Sequence, residues 1–260
     1  MNASTNHIPT AWIGDLFPAI GTAGSLALNA QMLEFRPERL PILVPYEHLI
    51  LAALARHLEP KRILEIGTAQ GRSTFLLAAN TPDSTRIVTL DLPPEERGGY
   101  TQDCLNGDDD VSRVYRGTPY EPRIDLVLAD STKLDPEALR TRFGAMDMLL
   151  IDGDHSLDAV RADTKLALRA AAEDALFVWH DFYMFPDYVS DPSGLRGVYP
   201  FLNEWNGGGE LQLRHVTGTY FVLGRRRWPE GTERQILQPG AGGPVFGNAI
   251  ARLADTGRAP

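Results

Sequence analysis

Short runs of apolar, largely aliphatic residues recur along the chain, each closed by glycine or a polar residue, with helical patterns between them. Arg62 to Ile66 is such a run. It ends in Gly67-Thr68-Ala69-Gln70-Gly71, and Ser73 to Ala79 then reads as helix. Arg86 to Leu90, ending at Asp91, completes a βαβ unit of the expected size. Ile124 to Leu128 predicts a third strand ending near Asp130, and Met146 to Ile151 a fourth. From Ser156 a helix follows, with Leu157, Val160, Thr164, Ala167, Leu168 and Ala171 stepping by three and four along one face. Leu166 falls off that stripe, and Asp163 is read with the polar positions. Ala175 to Trp179 predicts a fifth strand, closed by His180-Asp181. Leu211 to His215 and Thr219 to Leu223 are β-rich, and the short Val216-Thr217-Gly218 link predicts an antiparallel hairpin. Upstream, Tyr46 to Leu58 is apolar nearly all round, as a buried helix should be.

Together these elements predict an α/β fold, a doubly wound and mostly parallel seven-stranded sheet with an antiparallel C-terminal hairpin at its edge. The proline-rich stretch 1–44 reads as an arm or lid, 45–227 as the single folded domain, and 228–260 as a flexible tail or an oligomer contact. The formal net charge of −9 argues against a nucleic-acid partner, which would call for clustered Lys and Arg. A single cysteine, Cys104, permits no intrachain disulfide and no cysteine zinc cage. With no secretory signal and no apolar stretch of spanning length, the expectation is a soluble, cytoplasmic protein that does not engage a membrane.

A glycine turn after the first strand serves several nucleotide ligands, and spacing discriminates between them. A dinucleotide fingerprint starting at Gly67 needs glycines where the chain has Ala69 and Arg72, and no Gly-Lys-Ser/Thr follows for a phosphate loop. What remains is Glu65-x-Gly67-x-x-x-Gly71. Glu65 would repel a phosphate but favours the ammonium and sulfonium of S-adenosylmethionine. Asp91 is placed to accept from ribose hydroxyls and Asp130-Ser131 to edge an adenine. Each of these residues taken singly is also explained by a tight turn or a helix cap.

The runs Arg62-Ile63-Leu64-Glu65-Ile66-Gly67-Thr68-Ala69-Gln70-Gly71-Arg72-Ser73-Thr74, Ile151-Asp152-Gly153-Asp154-His155-Ser156 and Trp179-His180-Asp181-Phe182 resemble class I S-adenosylmethionine-dependent methyltransferases. The resemblance runs from about Pro45 to Arg225 and is nearest the small-molecule O-methyltransferases of the macrocin type. It implies a Rossmann-like fold and a cofactor pocket lined by Glu65, Gly67, Thr68, Ala69, Gly71, Ser73, Asp91, Asp130, Ser131 and Asp152.

Methylating a hydroxyl requires removal of its proton, by a divalent cation that lowers the hydroxyl pKa or by a general base. Asp152, His180 and Asp181 are the expected cation ligands. In cation-dependent relatives of the catechol type the matching positions carry Asp, Asp and Asn, so His180 departs from the pattern and suits manganese, iron or zinc better than magnesium. His155 is the candidate base, with Asp152 beside it; the competing reading makes His155 and Ser156 a helix cap, with Asp154 near the helix dipole. Asp108-Asp109-Asp110 reads as a solvated loop. Tyr183, Phe185, Tyr188 and Trp205, with Trp12 and Phe17 of the arm, are candidates for an apolar wall around a small hydroxyl acceptor, or for packing and a homo-oligomer contact. Base methylation is disfavoured, because the fourth strand lacks the Asn/Asp-Pro-Pro-aromatic tetrapeptide of those enzymes. Alternatives on the same fold are a metal-dependent, hydroxylase-like relative and a non-catalytic nucleotide-binding subunit.

Overall fold

Aliphatic runs buried on both faces build one eight-stranded sheet, seen in a computed structural model that describes residues 8–22, 27–29, 44–97, 114–182 and 197–228. The rest of the arm, Cys104, Asp108 to Asp110, Tyr183, Phe185, Tyr188 and the tail beyond Trp228 lie outside the described residues. In chain order the strands are β1 (Thr10–Ala11), β2 (Arg62–Ile66), β3 (Arg86–Asp91), β4 (Ile124–Leu128), β5 (Met146–Ile151), β6 (Ala171–Trp179), β7 (Gln212–Val216) and β8 (Val222–Arg225). The helices are α1 (Ile13–Leu16), α2 (Pro18–Thr22), α3 (Val44–Leu58), α4 (Arg72–Ala79), α5 (Pro136–Phe143), α6 (Leu157–Ala170) and α7 (Val198–Trp205). None of the described helices is long and apolar enough to cross a membrane.

The sheet order is β1-β7-β8-β6-β5-β2-β3-β4. β8 pairs antiparallel with both β6 and β7, so it alone runs against the others. The expected hairpin exists, but it is not a simple edge: its second strand is inserted between β6 and β7. That strand also begins at Val222 rather than Thr219. The Thr219 amide turns back onto the Val216 carbonyl at 3.2 Å, Gly218 takes φ 76°, and the Thr219 hydroxyl accepts from the Phe221 amide at 3.0 Å. The eighth strand comes from the arm, where Thr10 and Ala11 pair with His215 and Val216 of β7. Two residues carry no alternation, which is why seven strands rather than eight are legible in the sequence.

Alternate residues of the central strands face opposite layers even where every residue is apolar. Leu64, Ile66, Leu149, Ile151, Phe177 and Trp179 meet α5, α6 and α7 through Leu139, Val160, Ala167 and Leu202. Ile63, Met148, Leu150, Leu176 and Val178 meet α3 and α4 through Leu51, Leu54, Leu76 and Leu77. Phe17 belongs to this second layer, edge-on to Trp228 and His57 at 5.8 Å. Trp205 stacks on Phe201 at 5.6 Å and meets Trp179 edge-on at 5.9 Å. Both aromatics therefore serve the core rather than an acceptor wall, while Trp12 is exposed.

From β2 the chain winds outward through β3 and β4, then returns to lay β5 on the opposite side of β2. This reversal opens a crevice beyond the carboxyl ends of β2 and β5, where ligands bind in open α/β sheets. Gly67 follows one strand and Asp152 the other.

Candidate active site

Close approach of the two strand ends dictates the backbone of the glycine turn. The Asp152 amide donates to the Ile66 carbonyl at 2.8 Å. A Cβ on Gly67 would lie 2.0 Å from the Asp152 carbonyl oxygen, and its φ of 97° suits only glycine. Ala69 (φ 46°) and Gly71 (φ 79°) are also left-handed. Asp91 holds the turn from below: its Oδ2 accepts from the amides of Thr68 at 3.1 Å and Ala69 at 2.8 Å, and Arg97 approaches Oδ1 at 3.7 Å. Gly71 leads into α4 without a side-chain cap, so that helix presents its N-terminus as a ready acceptor of a ligand anion.

Beneath the turn, Glu65 is fully buried. Its Oε2 accepts from the hydroxyls of Thr74 at 2.5 Å and Thr89 at 2.6 Å, while Oε1 has no hydrogen-bond partner among the described residues. The Thr68 hydroxyl joins this network, 2.6 Å from that of Thr89. Glu65 and Thr68 thus underlie the turn rather than line its open side.

At the ends of β5 and β6, four side chains named from the sequence converge. His155 Nε2 lies 2.9 Å from Asp181 Oδ2 and 3.8 Å from Asp152 Oδ1. His180 Nδ1 lies 3.1 Å from Asp152 Oδ1 and 3.3 Å from Asp181 Oδ1. Asp152, His155 and Asp181 each offer a ligand atom, all within 4.8 Å of one another, a donor set that fits a divalent cation. Asp181 takes a left-handed backbone (φ 59°), uncommon outside glycine and concentrated at functional positions. Burial disfavours charge on every group here, yet the pairing outweighs it. Hydrogen bonds to Asp152 and Asp181 push His155 up to about 10, and the same two carboxylates hold His180 well above its ordinary value. His180, with His155, holds Asp152 below the usual carboxylate range and Asp181 well below it.

The helix-cap reading divides among three residues. Ser156 caps α6, accepting from the Ala159 amide at 3.4 Å, and Asp154 accepts from the Ser156 amide at 2.7 Å. His155 turns instead toward Asp181. The position of this loop is fixed from α7, since the Gly197 amide donates to the His155 carbonyl at 2.6 Å and a Cβ on Gly197 would lie 2.2 Å from the Leu157 nitrogen.

A family model described as a methyltransferase domain matches residues 64–182. The fold is shared with the O-methyltransferase TomG from Streptomyces achromogenes, involved in tomaymycin synthesis and solved in complex with SAM (22% identity, TM-score 0.54, covering 72% of this chain and 81% of that one). It is shared too with cofactor-bound Rv0187 from MTB (21% identity, TM-score 0.51, covering 75% and 85%). Among curated proteins, a tRNA1(Val) (adenine(37)-N6)-methyltransferase from Actinobacillus pleuropneumoniae is 29% identical over 87 residues. That match spans 32% of this chain and 37% of the relative.

Within the matched segment, Asp130 is engaged locally, accepting from the Thr132 amide at 3.0 Å and pairing with Lys133 at 2.6 Å. The Ser131 hydroxyl donates to Asp163 at 2.7 Å. Asp163, read as polar surface, is 1% exposed, and burial raises its carboxyl to about 6. It lies on the buried stripe of α6 with Val160, Thr164 and Ala167, so periodicity alone could have flagged it. Glu47 of α3 was missed altogether. It is 3% exposed and meets His180 Nε2 at 3.2 Å. The one available signal was a carboxylate in the first turn of a largely apolar helix.

The domain's buried Glu65 predicts a pH-dependent stability. Burial raises the carboxyl from 4.5 to about 7, against the hydroxyls of Ser73, Thr74 and Thr89. Below pH 4.5 it is neutral in both folded and unfolded chains; as pH rises toward 7 the unfolded chain ionises first and stability is lost. The full loss above pH 7 is about 3 kcal/mol. Glu65→Gln removes this titration, so urea midpoints at pH 5 and pH 8 should diverge less in the variant than in the wild type. Equal divergence in both proteins would refute the assignment.

Proposed function

We propose that this protein transfers the methyl group of S-adenosylmethionine to a hydroxyl of a small molecule, a sugar or phenolic natural product of the kind methylated by macrocin-type enzymes, with a divalent cation, Mg or Mn, at the acceptor side. The observation that carries this reading is the convergence of Asp152, His155 and Asp181 beyond the strand ends, across the crevice from the glycine turn.

The residues of the turn suit a zwitterionic, cationic cofactor. The uncapped N-terminus of α4, with Ser73 in its first turn, takes the amino-acid carboxylate, and Asp152 and the buried Glu65 bias the field toward the ammonium and sulfonium. Gly67, Thr68, Ala69 and Gly71 shape the turn against the ligand, Asp91 supports it near the ribose, and Asp130 and Ser131 edge the adenine. When bound, the cofactor supplies an electrophilic methyl group and brings no pyrophosphate, in keeping with a turn that lacks the glycines of a dinucleotide site.

On the acceptor side, Asp152 and Asp181, with His180 and His155 adjoining, would hold the cation, which when bound would lower the hydroxyl pKa. His155, raised to about 10, carries a proton at neutral pH while it faces both carboxylates, so a role as base would require it to lose that pairing first. Arm 1–44 and tail 228–260 flank the catalytic domain, 45–227, and we assign them to closure over the acceptor or to contacts between copies of the chain.

The curated adenine methyltransferase raises a nucleobase acceptor as the other reading. Two features favour the small hydroxyl. The chain carries a net charge of −9, and β5 ends in Asp152-Gly153-Asp154-His155. Calorimetry with S-adenosylmethionine, with and without Mg2+ or Mn2+, tests the core of the proposal. Binding at roughly tens of micromolar is expected, and no detectable binding would sink it.

A further inference from the structure

Glu47 is the one residue of the cluster that comes from the opposite part of the chain, and nothing in the reading above gives it a task. Its two oxygens are committed in different directions. Oε1 accepts from the backbone amide of Tyr220 at 2.6 Å, and Oε2 lies 3.2 Å from His180 Nε2. At 3% exposure it has no water to turn to. The His180 ring is further held by a tilted contact with Phe221 at 5.2 Å, while the residue's amide donates to the Ile151 carbonyl at 3.2 Å. With the ring fixed, Nε2 points back at Glu47, and Nδ1 points forward at Asp152 Oδ1 and Asp181 Oδ1, 3.1 and 3.3 Å away. A carboxylate behind one ring nitrogen and open ligand geometry before the other is the arrangement by which proteins set the tautomer of a metal-binding histidine.

We propose that Glu47 is a positioning residue for the cation site: by accepting the Nε2 proton of His180 it makes Nδ1, facing Asp152 and Asp181, the nitrogen that yields its proton to a cation, and so adds to His155 a second nitrogen donor that favours Mn2+ over Mg2+. This rests on the reading that those aspartates hold a divalent cation. Magnesium keeps oxygen ligands and water, whereas an imidazole nitrogen is a good ligand for the later divalent ions, so a correctly presented Nδ1 changes the preference between cations. The contact also ties the metal preference to α3 and to the turn before β8, two elements distant in sequence from the strand ends that carry the aspartates.

Glu47→Gln tests the idea without removing the brace. The Tyr220 amide still requires an acceptor, which orients the new amide with its oxygen toward Tyr220 and its NH2 toward His180. That NH2 donates to Nε2 and imposes the opposite tautomer, with the proton on Nδ1. Metal titration calorimetry on the full chain, in the absence of cofactor and acceptor, reads the result directly. Mn2+ affinity should fall by about tenfold to a hundredfold, the usual effect of losing an outer-shell partner. Mg2+ affinity should change by less than about threefold, since that ion depends little on nitrogen. In a His180→Asn background the Glu47→Gln change should have no further effect on Mn2+, because its action passes through the imidazole. A thermal melt of each variant confirms that it is folded.

Unchanged Mn2+ affinity in folded Glu47→Gln, equal weakening of both cations, or an undiminished effect in the His180→Asn background would each overturn the role given to Glu47 while leaving the cation site in place. A wild-type protein that binds neither Mn2+ nor Mg2+ would overturn the cation reading and this inference with it.

Discussion

Asp181→Ala should abolish cation-dependent methyl transfer while leaving cofactor affinity near that of the wild type. Asp181 follows β6, where its carboxylate is 2.9 Å from His155 and 3.3 Å from His180. The glycine turn is held separately, by Asp91 and the Asp152 backbone. If the proposed cation is held there, removing Asp181 takes one of its three convergent ligand atoms, and with it a Lewis-acid contribution worth several kcal/mol, a rate loss of about a thousandfold. Transfer of labelled methyl with and without divalent cation, together with cofactor calorimetry on the same preparation, separates the two effects. Full activity of the wild type in chelator would remove the cation from the reaction. Parallel loss of cofactor binding would show that Asp181 supports the cofactor side instead.

The second large effect belongs to Gly67→Ala. An added methyl would sit 2.0 Å from the Asp152 carbonyl oxygen and 2.5 Å from its carbon, both backbone atoms of a central strand end. No side-chain rotation relieves such a contact, and the φ of 97° adds strain for any residue with a Cβ. β2 and β5 must separate, or the turn must be rebuilt. A loss of about 4 kcal/mol or more places the substitution in the exceptional class, and for a chain of this size it lowers the melting temperature by roughly 8–16 °C. Gly209→Ala, where nothing lies within 4 Å, is the matched control for backbone strain alone at a positive φ (77°). Similar melting shifts in the two variants would mean that the close approach of the strands is not what requires glycine at 67.

Parallel strands were the most legible part of the chain, because burial on both faces leaves aliphatic runs with sharp ends. The expected bounds of β2, β4 and β5 coincide with the observed ones. The C-terminal pair was harder. A hairpin follows from the spacing, but which neighbours its strands choose is a tertiary matter, and the insertion of β8 beside β6 leaves no local trace. In the site, a similar division holds. Asp152, His155, His180 and Asp181 were legible because each follows a strand predicted to end where ligands bind. Glu47 was not, since its partner lies 133 residues away and only the packing of α3 across the sheet brings them together. Asp154 stands between: the sequence placed it beside the α6 dipole without deciding its role, and the 2.7 Å contact with the Ser156 amide shows it bracing the start of α6.

The pairing of Thr10 and Ala11 with His215 and Val216 sets an order of events for the newly made chain. Thr10 leaves the ribosome 205 residues ahead of its partner His215. At about 5–20 residues per second, Thr10 waits roughly 10–40 s for His215, long enough for the intervening βαβ units to form first. Contacts of such separation add to the slow, late part of folding. Without that pairing the outer edge of β7 has no mate among the described residues, and an open edge invites pairing with another chain. The two residues of β1 then act as a latch on the finished sheet, and a chain shortened by its first eleven residues should fold to the same domain but aggregate more readily.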